Sequence, residues 1–145
     1  MRILVFDIGG TFIKYAICDE NFNLSDKNKV PTEAEKGGQA LIEKIIDIIL
    51  SYDDIDRVAI STAGQVDSEN GIVVYSTDNI PYYTGMMVKK LIENKTKIPT
   101  FVENDVNAAA LGEAKRFHLP DIRNGYRRCN FLKRKIIQRL VIIRS

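Results

Sequence analysis

The sequence has 145 residues, enough for one domain with a substantial hydrophobic core and too few for two such domains. Its composition, 45% hydrophobic and 28% charged residues, is that of a soluble globular protein. We recognise no signal peptide and no apolar run long enough to cross a membrane, so neither export nor a membrane span is predicted.

The charge is divided unevenly along the chain, although the formal net charge is only +2. Residues 115–145 contain ten lysines and arginines against one acidic residue, whereas residues 1–114 contain 11 basic and 18 acidic residues. Two such compositions in one short chain indicate two different origins or roles.

The cysteines and the histidine are too sparse for a metal centre. Cys18 and Cys129 are also too far apart to indicate a disulfide framework, which favours a reduced, cytoplasmic setting. His118 is the only histidine, and with one cysteine nearby it cannot build a zinc site, so no zinc is predicted.

The first element spans Ile3 to Tyr15. Two strand-like apolar runs flank Gly9-Gly10, which predicts a β-hairpin with a two-residue turn. Glycines without a Cβ allow backbone N–H groups to come close to a ligand, so the turn could hold an anion.

Three polar residues surround this turn, with Asp7 before it and Thr11 and Lys14 after it. A threonine hydroxyl and a lysine can bind phosphate oxygens, and a carboxylate can hold a hydrated Mg²⁺. The alternative is a plain tight hairpin with solvated polar residues. The combination of these three residues favours phosphate binding over that alternative.

A strand, a helix and another strand follow the hairpin. Phe22 to Val30 is a candidate third strand that Pro31 ends. Gln39 to Ser51 has isoleucines and leucine at helical spacing, which predicts an amphipathic helix, and Arg57 to Ser61 is a short apolar strand. This order predicts a right-handed crossover and therefore a mixed sheet covered by helices.

Two polar segments come next. Ser61 to Asp67 leaves the strand through small and polar residues, and a turn at Asn70-Gly71 leads into a strand at Ile72 to Tyr75. Ser76 to Pro81 is a second polar cluster, whose amides and hydroxyls suit a polyol. Loops at the carboxyl ends of strands often bind ligands, but ordinary connections have the same composition.

Asp105 lies at a predicted strand-to-helix junction. Gly85 to Asn94 is a predicted helix, Pro99 to Val102 a short strand, and Val106 to Arg116 an alanine-rich helix. One interpretation is that Asn104 or Asp105 caps the last helix. The other is that Asp105 is a general base, kept ionised by the helix amides and able to orient a substrate hydroxyl.

Several of these motifs together resemble a known family. Asp7-Ile8-Gly9-Gly10-Thr11 with Lys14 resembles the amino-terminal phosphate motif of the ROK sugar kinases, a branch of the actin-like, hexokinase-like ATPases. Glu103 to Ala109 is similar to the family's catalytic segment. The family's sugar-binding residues have counterparts in the same order, namely Gly64-Gln65, Thr77 and Asn104-Asp105. Several motifs in order are more specific than any one of them.

The resemblance implies an α/β fold, a ribonuclease-H-like (actin-like ATPase) lobe with a mixed sheet flanked by helices. It implies that Asp105 receives the proton of the sugar hydroxyl. The implied sugar-binding residues are Gly64, Gln65, Thr77, Asn104 and Asp105. The residues implied to lie near the phosphates and Mg²⁺ of ATP are Asp7, Gly9, Gly10, Thr11 and Lys14, with Asp7 as the candidate Mg²⁺ ligand.

The family pattern stops near residue 117. ROK kinases continue with a Thr- and Gly-rich second phosphate loop and a second domain, which carries a His and a Glu of the sugar site and commonly a His/Cys zinc site. None of these is found in this sequence. We therefore interpret residues 1–117 as the amino-terminal lobe and residues 118–145 as a basic tail that does not match the family.

Three interpretations of this tail compete. Its apolar and basic residues could form an amphipathic helix for an anionic membrane surface or a partner groove. Nucleic-acid binding is not expected, because no recognisable fold or aromatic platform accompanies the basic residues. The abrupt change in charge favours an altered reading frame or early stop in the gene of a longer kinase. The encoding DNA tests this, since one of its other frames should then encode the missing motifs.

The predicted ancestral function is ATP-dependent phosphorylation of a hexose, amino sugar or β-glucoside, most often at O6, with weak or no activity in these 145 residues. The rival is a non-catalytic sugar-binding or regulatory module. ROK repressors carry a DNA-binding segment before the phosphate motif, and the position of Met1 argues against that branch. Apolar surface facing an absent lobe would favour self-association, so a homo-oligomer is an open expectation.

Overall fold

The computed structural model describes residues 1–21, 23–77 and 79–105. A single 3₁₀ turn lies at Ala34–Lys36. The strands and helices, in chain order, are β1 Ile3–Ile8, β2 Phe12–Cys18, β3 Leu24–Pro31, α1 Gly37–Leu50, β4 Arg57–Thr62, β5 Gln65–Asp67, β6 Ile72–Tyr75, α2 Val88–Thr96 and β7 Thr100–Asn104.

Five of the strands form one mixed sheet in the order β3-β2-β1-β4-β7. Strands β1, β4 and β7 are parallel, whereas β2 is antiparallel to both β1 and β3. The first three strands are a meander, and α1 then crosses over to place β4 beside β1. This confirms the predicted mixed sheet with helical crossovers.

Both helices contribute to one core on one face of the sheet. Alternate residues of a strand point to opposite faces, and the buried members on the helix-covered face of β1 are Leu4, Phe6 and Ile8. They belong to the same cluster as the buried residues of the helices, namely Leu41, Ile42, Ile45 and Ile49 of α1 and Val88 and Ile92 of α2. Each such buried aliphatic side chain stabilises the fold by about 1.5–3 kcal/mol.

The opposite face of β1 is also buried. Ile3 and Val5 have no exposed surface, and Asp7, on the same face, is only 7% exposed. A carboxylate at the end of a buried strand is therefore placed on the face of the sheet that α1 does not cover.

Most predicted elements are confirmed, but β5 was not predicted and the bounds of several others differ. Strand β3 includes Pro31, which was predicted to end it, because Pro31 is still the register partner of Phe12. The predicted loop from Ser61 to Asp67 contains β5, which pairs with β6 because Gly71 N–H bonds to Asp67 O at 2.8 Å and closes the hairpin. Helix α2 begins at Val88 rather than Gly85, because Gly85 has a φ of 82° and Met86 O accepts a hydrogen bond from Val73 N–H in β6.

Strand β7 begins at Thr100 and extends through Asn104, two residues past the predicted end. The extension follows from pairing with β4, where Thr62 and Asn104 are register partners. The predicted helix over Val106 to Arg116 and the basic tail lie outside the described residues. Within the part of the chain that is described, no helix is long and apolar enough to cross a membrane.

Candidate functional site

Three parallel strands end at one edge of the sheet. Ile8, Thr62 and Asn104 are register partners across β1, β4 and β7. The residues that follow these strands, including the glycine turn and Asp105, therefore start from the same edge. With about 4.8 Å between neighbouring strands, β1 and β7 lie about 10 Å apart, which is the scale of a small-ligand cleft.

The glycine turn joins β1 and β2 through three residues, Gly9 to Thr11, so the predicted two-residue turn is wrong by one residue. Gly9 N–H donates to Phe12 O at 2.9 Å, but Gly9 O accepts a hydrogen bond from the hydroxyl of Thr32 at 2.7 Å. Thr32 is buried beyond β3, and it replaces the second cross-turn bond that a tighter hairpin would make.

The two glycines of the turn differ in how much space surrounds them. A Cβ on Gly9 would approach Phe12 O to 3.0 Å, whereas a Cβ on Gly10 would have no heavy atom within 4 Å. Neither glycine has a positive φ. The turn therefore needs Gly9 for its own packing, while Gly10 keeps an open approach to the backbone, as an anion-binding turn requires.

Asp7 and Lys14 share one face of the sheet beside this turn. They are register partners between β1 and β2, and Ser61 of β4 is the partner of Asp7 on its other side. Lys29 of β3 continues the same row as the partner of Lys14, and its Nζ lies 4.2 Å from the centre of the Phe12 ring. Two lysines and one carboxylate thus lie in a row next to the turn.

This row could serve a magnesium–phosphate group. Mg²⁺ in such sites is commonly held by one or two carboxylates, with water and phosphate oxygens completing its shell. Asp7, a largely buried carboxylate next to the turn, fits that donor set. Among the described residues there is no cluster of three or more His, Cys, Asp or Glu side chains for a metal held by protein alone.

Three of the predicted sugar-binding residues come together at the ends of β4 and β7. Asn104 Nδ2 donates a hydrogen bond to Gly64 O. Gly64 has a φ of 99°, and a Cβ there would lie 2.5 Å from Tyr75 O and 3.4 Å from Ser76 Cα. Because Ser76 precedes Thr77, the Thr77 segment lies directly against Gly64.

The remaining predicted residues lie at the margins of this group. Gln65 is exposed and begins β5, immediately after Gly64. Asp105 is partly buried and directly follows β7. The adjacent Glu103 accepts the N–H of Asn104 through Oε1 at 2.8 Å.

One buried hydrogen bond at the site was not expected from the sequence. The hydroxyls of Thr62 and Tyr83 lie 2.8 Å apart, and the Tyr83 side chain is fully buried. Burial raises the pKa of Tyr83 to about 12, with the Thr62 hydrogen bond acting in the opposite direction. Two tyrosines after Pro81 are a visible signal, but Tyr82 is 91% exposed, and sequence alone does not tell which one faces inward.

Comparison with known proteins places this geometry in a family. The sequence model of the ROK family matches residues 3–122. An uncharacterised protein of Clostridium perfringens is 50% identical over 112 residues, covering 75% of this chain and 38% of that protein. A glucokinase of Thermotoga maritima is 31% identical over 116 residues, covering 78% of this chain and 36% of that enzyme.

A solved structure gives the same result. The ROK family glucokinase from Streptomyces griseus, in complex with glucose and AMPPNP, superposes with a TM-score of 0.67 at 28% identity. The match covers 79% of this chain and 36% of that one. The chain thus spans little more than a third of the length of these relatives.

The sheet order, the helices on its face and this likeness define an actin-like ATPase fold, as adopted by ROK sugar kinases. The predicted fold class is therefore confirmed. The chain belongs to the ROK family, since the family model matches most of its length.

Proposed function

We propose that residues 1–117 are the amino-terminal lobe of a cytoplasmic, ATP-dependent ROK sugar kinase, and that residues 118–145 are a separate basic tail. The proposed reaction transfers the γ-phosphoryl group of ATP to a hydroxyl of a hexose, amino sugar or β-glucoside, preferably O6. One observation carries the proposal: the glycine turn and Asp105 follow parallel strands that end at the same edge of the sheet.

The sugar would bind at the ends of β4 and β7. The hydrogen bond from Asn104 to Gly64 O fixes the two strand ends relative to each other. The exposed Gln65 directly follows Gly64, and the exposed Thr77 follows Ser76, whose Cα would lie 3.4 Å from a Cβ on Gly64. A hydroxyl and an amide can each both donate to and accept from sugar hydroxyls, so these side chains suit a polyol.

Asp105 would act as the general base. Its partly buried carboxylate can orient the attacking sugar hydroxyl in line with the phosphorus and accept its proton late in the transfer. A base in phosphoryl transfer contributes mainly by positioning the nucleophile, so the strongly raised pKa of some catalytic carboxylates is not required.

The nucleotide would bind at the glycine turn. The open backbone at Gly10, with Gly9, Thr11 and Lys14 around it, would hold phosphate oxygens. Asp7 would hold a hydrated Mg²⁺, which neutralises phosphate charge when it is bound. Glucose and AMPPNP in the related Streptomyces griseus structure support this pair of ligands.

Titration of the 145-residue chain with glucose in a calorimeter tests the sugar half of the proposal. We expect weak, saturable binding that Asp105→Asn changes little, since the amide keeps the shape and polarity of the side chain. Gly64→Val should abolish binding, because its Cβ would collide with Tyr75 O. Absence of binding by the unchanged chain contradicts the proposed sugar site.

A coupled assay of ADP release tests turnover. Kinase catalysis of this kind depends on closure around both substrates, and the chain spans about a third of its relatives. We therefore expect little or no sugar-dependent ADP release from the 145 residues. Robust turnover would contradict the assignment of these residues to one lobe of a two-lobed site.

A further inference from the structure

The segment that carries Thr77 is closed at its base by hydrogen bonds. Val73 N–H donates to Met86 O at 3.0 Å, and Gly85 N–H donates to Val73 O at 2.6 Å. Ser76 N–H donates to the hydroxyl of Thr84 at 3.0 Å. These bonds bring the two ends of the segment together. The described residues between 76 and 87 are called the Thr77 loop.

Besides its bonds to β6 and the start of α2, two hydrogen bonds attach the described part of the Thr77 loop to α1 and to the five-stranded sheet. Gly38 N–H, in the first turn of α1, donates to Pro81 O at 2.8 Å. The second contact is the buried bond between the hydroxyls of Tyr83 and Thr62. Among the described residues, it is the side-chain hydrogen bond by which this loop reaches the five-stranded sheet.

Thr62 occupies a particular place in the sheet. It is the last residue of β4, the register partner of Asn104, and lies two residues before Gly64. The Tyr83 hydroxyl therefore joins the loop that carries Thr77 to the strand end that carries Gly64.

Phenylalanine would fill the same space in the core, so the hydroxyl of Tyr83 is not needed for packing. A buried hydroxyl costs free energy unless it is hydrogen-bonded, so a tyrosine in a core is useful where its hydroxyl sets an orientation. Here the ring is fully buried among apolar residues, and its one polar atom meets Thr62.

We propose that Tyr83 is a positioning residue for the sugar site, which through its hydrogen bond to Thr62 fixes Thr77 relative to Gly64 and Asn104. This inference rests on the proposed function for the identity of the ligand. The role of Tyr83 in holding the Thr77 loop in place does not depend on the identity of the sugar.

The test compares Tyr83→Phe with Tyr52→Phe in the 145-residue chain. Each substitution removes one hydrogen-bonded hydroxyl. The hydroxyl of Tyr52 donates to Asp26 Oδ2 at 2.6 Å. Tyr52 lies just past the carboxyl end of α1, about 20 Å along the helix from Gly38. It is therefore a matched control that is remote from the Thr77 loop.

Two measurements are made on each variant. Amide hydrogen exchange at Ser76 and Thr77 should become faster in Tyr83→Phe, by about 2- to 10-fold, and stay unchanged in Tyr52→Phe. Glucose affinity should fall by about 2- to 10-fold in Tyr83→Phe only, while AMPPNP affinity stays within about twofold in both variants. A general loss of stability would move both affinities together.

Thr62→Val is a second test, because it removes the same hydrogen bond by deleting the hydroxyl of Thr62 instead of that of Tyr83. We expect it to match Tyr83→Phe, and the double variant to resemble either single one. Equal exchange at Thr77 in Tyr83→Phe and Tyr52→Phe, or additive effects of the two bond partners, would overturn the inference. If the unchanged chain does not bind glucose, the proposed function fails, and the exchange comparison still decides the role of Tyr83.

Discussion

Glycine has two different physical roles at the site, and substitution separates them. Gly64 adopts a φ of 99° against the backbone of Tyr75, so it is required by conformation and by space. Gly10 has neither constraint within the described structure, since its φ is not positive and its surroundings are open. A glycine that the fold does not need is a candidate for ligand contact.

Gly64→Ala and Gly10→Ala should therefore differ. We expect Gly64→Ala to lower the free energy of unfolding by about 2 kcal/mol or more, through the strained φ and the contact with Tyr75 O. Gly10→Ala should change stability by less than about 0.5 kcal/mol but weaken AMPPNP binding by at least about fivefold. Urea unfolding and calorimetry measure the two effects, and an unchanged AMPPNP affinity in Gly10→Ala would contradict the phosphate role.

The buried Tyr83 hydroxyl makes stability depend on pH in the alkaline range. The pKa of Tyr83 is raised by burial to about 12, whereas an unfolded tyrosine has a pKa of about 10. Below pH 10 both states are protonated and stability is unaffected by this group. As the pH rises from 10 towards 12 the unfolded state loses its proton first, so stability falls.

Chemical denaturation between pH 9 and 12, about the range of tyrosine ionisation, should show this loss, with a slope of about 1.4 kcal/mol per pH unit for one proton. Tyr83→Phe should reduce this slope by the amount that one proton contributes, about 1.4 kcal/mol per pH unit. Its matched control is Tyr82→Phe, because Tyr82 is 91% exposed and should leave the slope unchanged. Equal slopes in the two variants would show that Tyr83 is not buried as described.

At the scale of elements, the amino-terminal end of α1 is a docking surface for the Thr77 loop. Gly38 N–H bonds to Pro81 O, and a Cβ on Gly38 would lie 3.0 Å from both Tyr82 O and Tyr83 Cα. Contacts this close to backbone atoms cannot be relieved by moving a flexible side chain. The glycine therefore allows the helix and the loop to pack directly.

Gly38→Ala should displace the Thr77 loop and cost about 1–3 kcal/mol in unfolding free energy. The neighbouring Gln39→Ala is the control, since Gln39 is exposed and its side chain donates to Glu43 Oε1, within the same helix, at 3.2 Å. Thermal unfolding of the two variants checks this. Similar melting temperatures would mean that the loop is not held against α1.

Elements with a strong periodic pattern were predictable from sequence, and those set by tertiary bonds were not. Helix α1 and strand β4 were predicted to within two residues, because their apolar spacing identifies a buried face. The start of α2 was missed because Gly85 has a positive φ and Met86 O is bonded to Val73. Strand β5 was missed although the turn at Gly71 was predicted, because a strand of three residues is too short to show an apolar alternation.

The same division applies to the site. The glycine hairpin follows from a local pattern, so the sequence was sufficient to predict it. Its register was not predicted, because a two-residue turn would pair Asp7 with Phe12, whereas the longer turn pairs Asp7 with Lys14. The bond between Thr62 and Tyr83, and that between Thr32 and Gly9 O, join residues 21 and 23 positions apart. Nothing local distinguishes their hydroxyls from those of other threonines and tyrosines.

At the scale of the whole molecule, the proposed function requires that the sugar-binding and phosphate-binding groups meet at one edge of the sheet. The sheet order alone brings the ends of β1, β4 and β7 together, and all three strands lie within the residues that the ROK family model matches. Ligands commonly bind at such carboxyl-terminal edges of α/β sheets. The position of the turn relative to Asp105 is fixed by β4, which lies between β1 and β7 in the sheet.

Amide chemical-shift mapping of the ¹⁵N-labelled chain tests this central claim most directly. Glucose should shift the amides of Gly64, Thr77 and Asn104, and AMPPNP with Mg²⁺ should shift those of Gly9, Gly10 and Thr11. Glucose should also alter the AMPPNP shifts when both ligands are present, because the two groups share one edge. Shifts confined to other parts of the chain, or no shifts at saturating ligand, would contradict a sugar and nucleotide cleft at this edge.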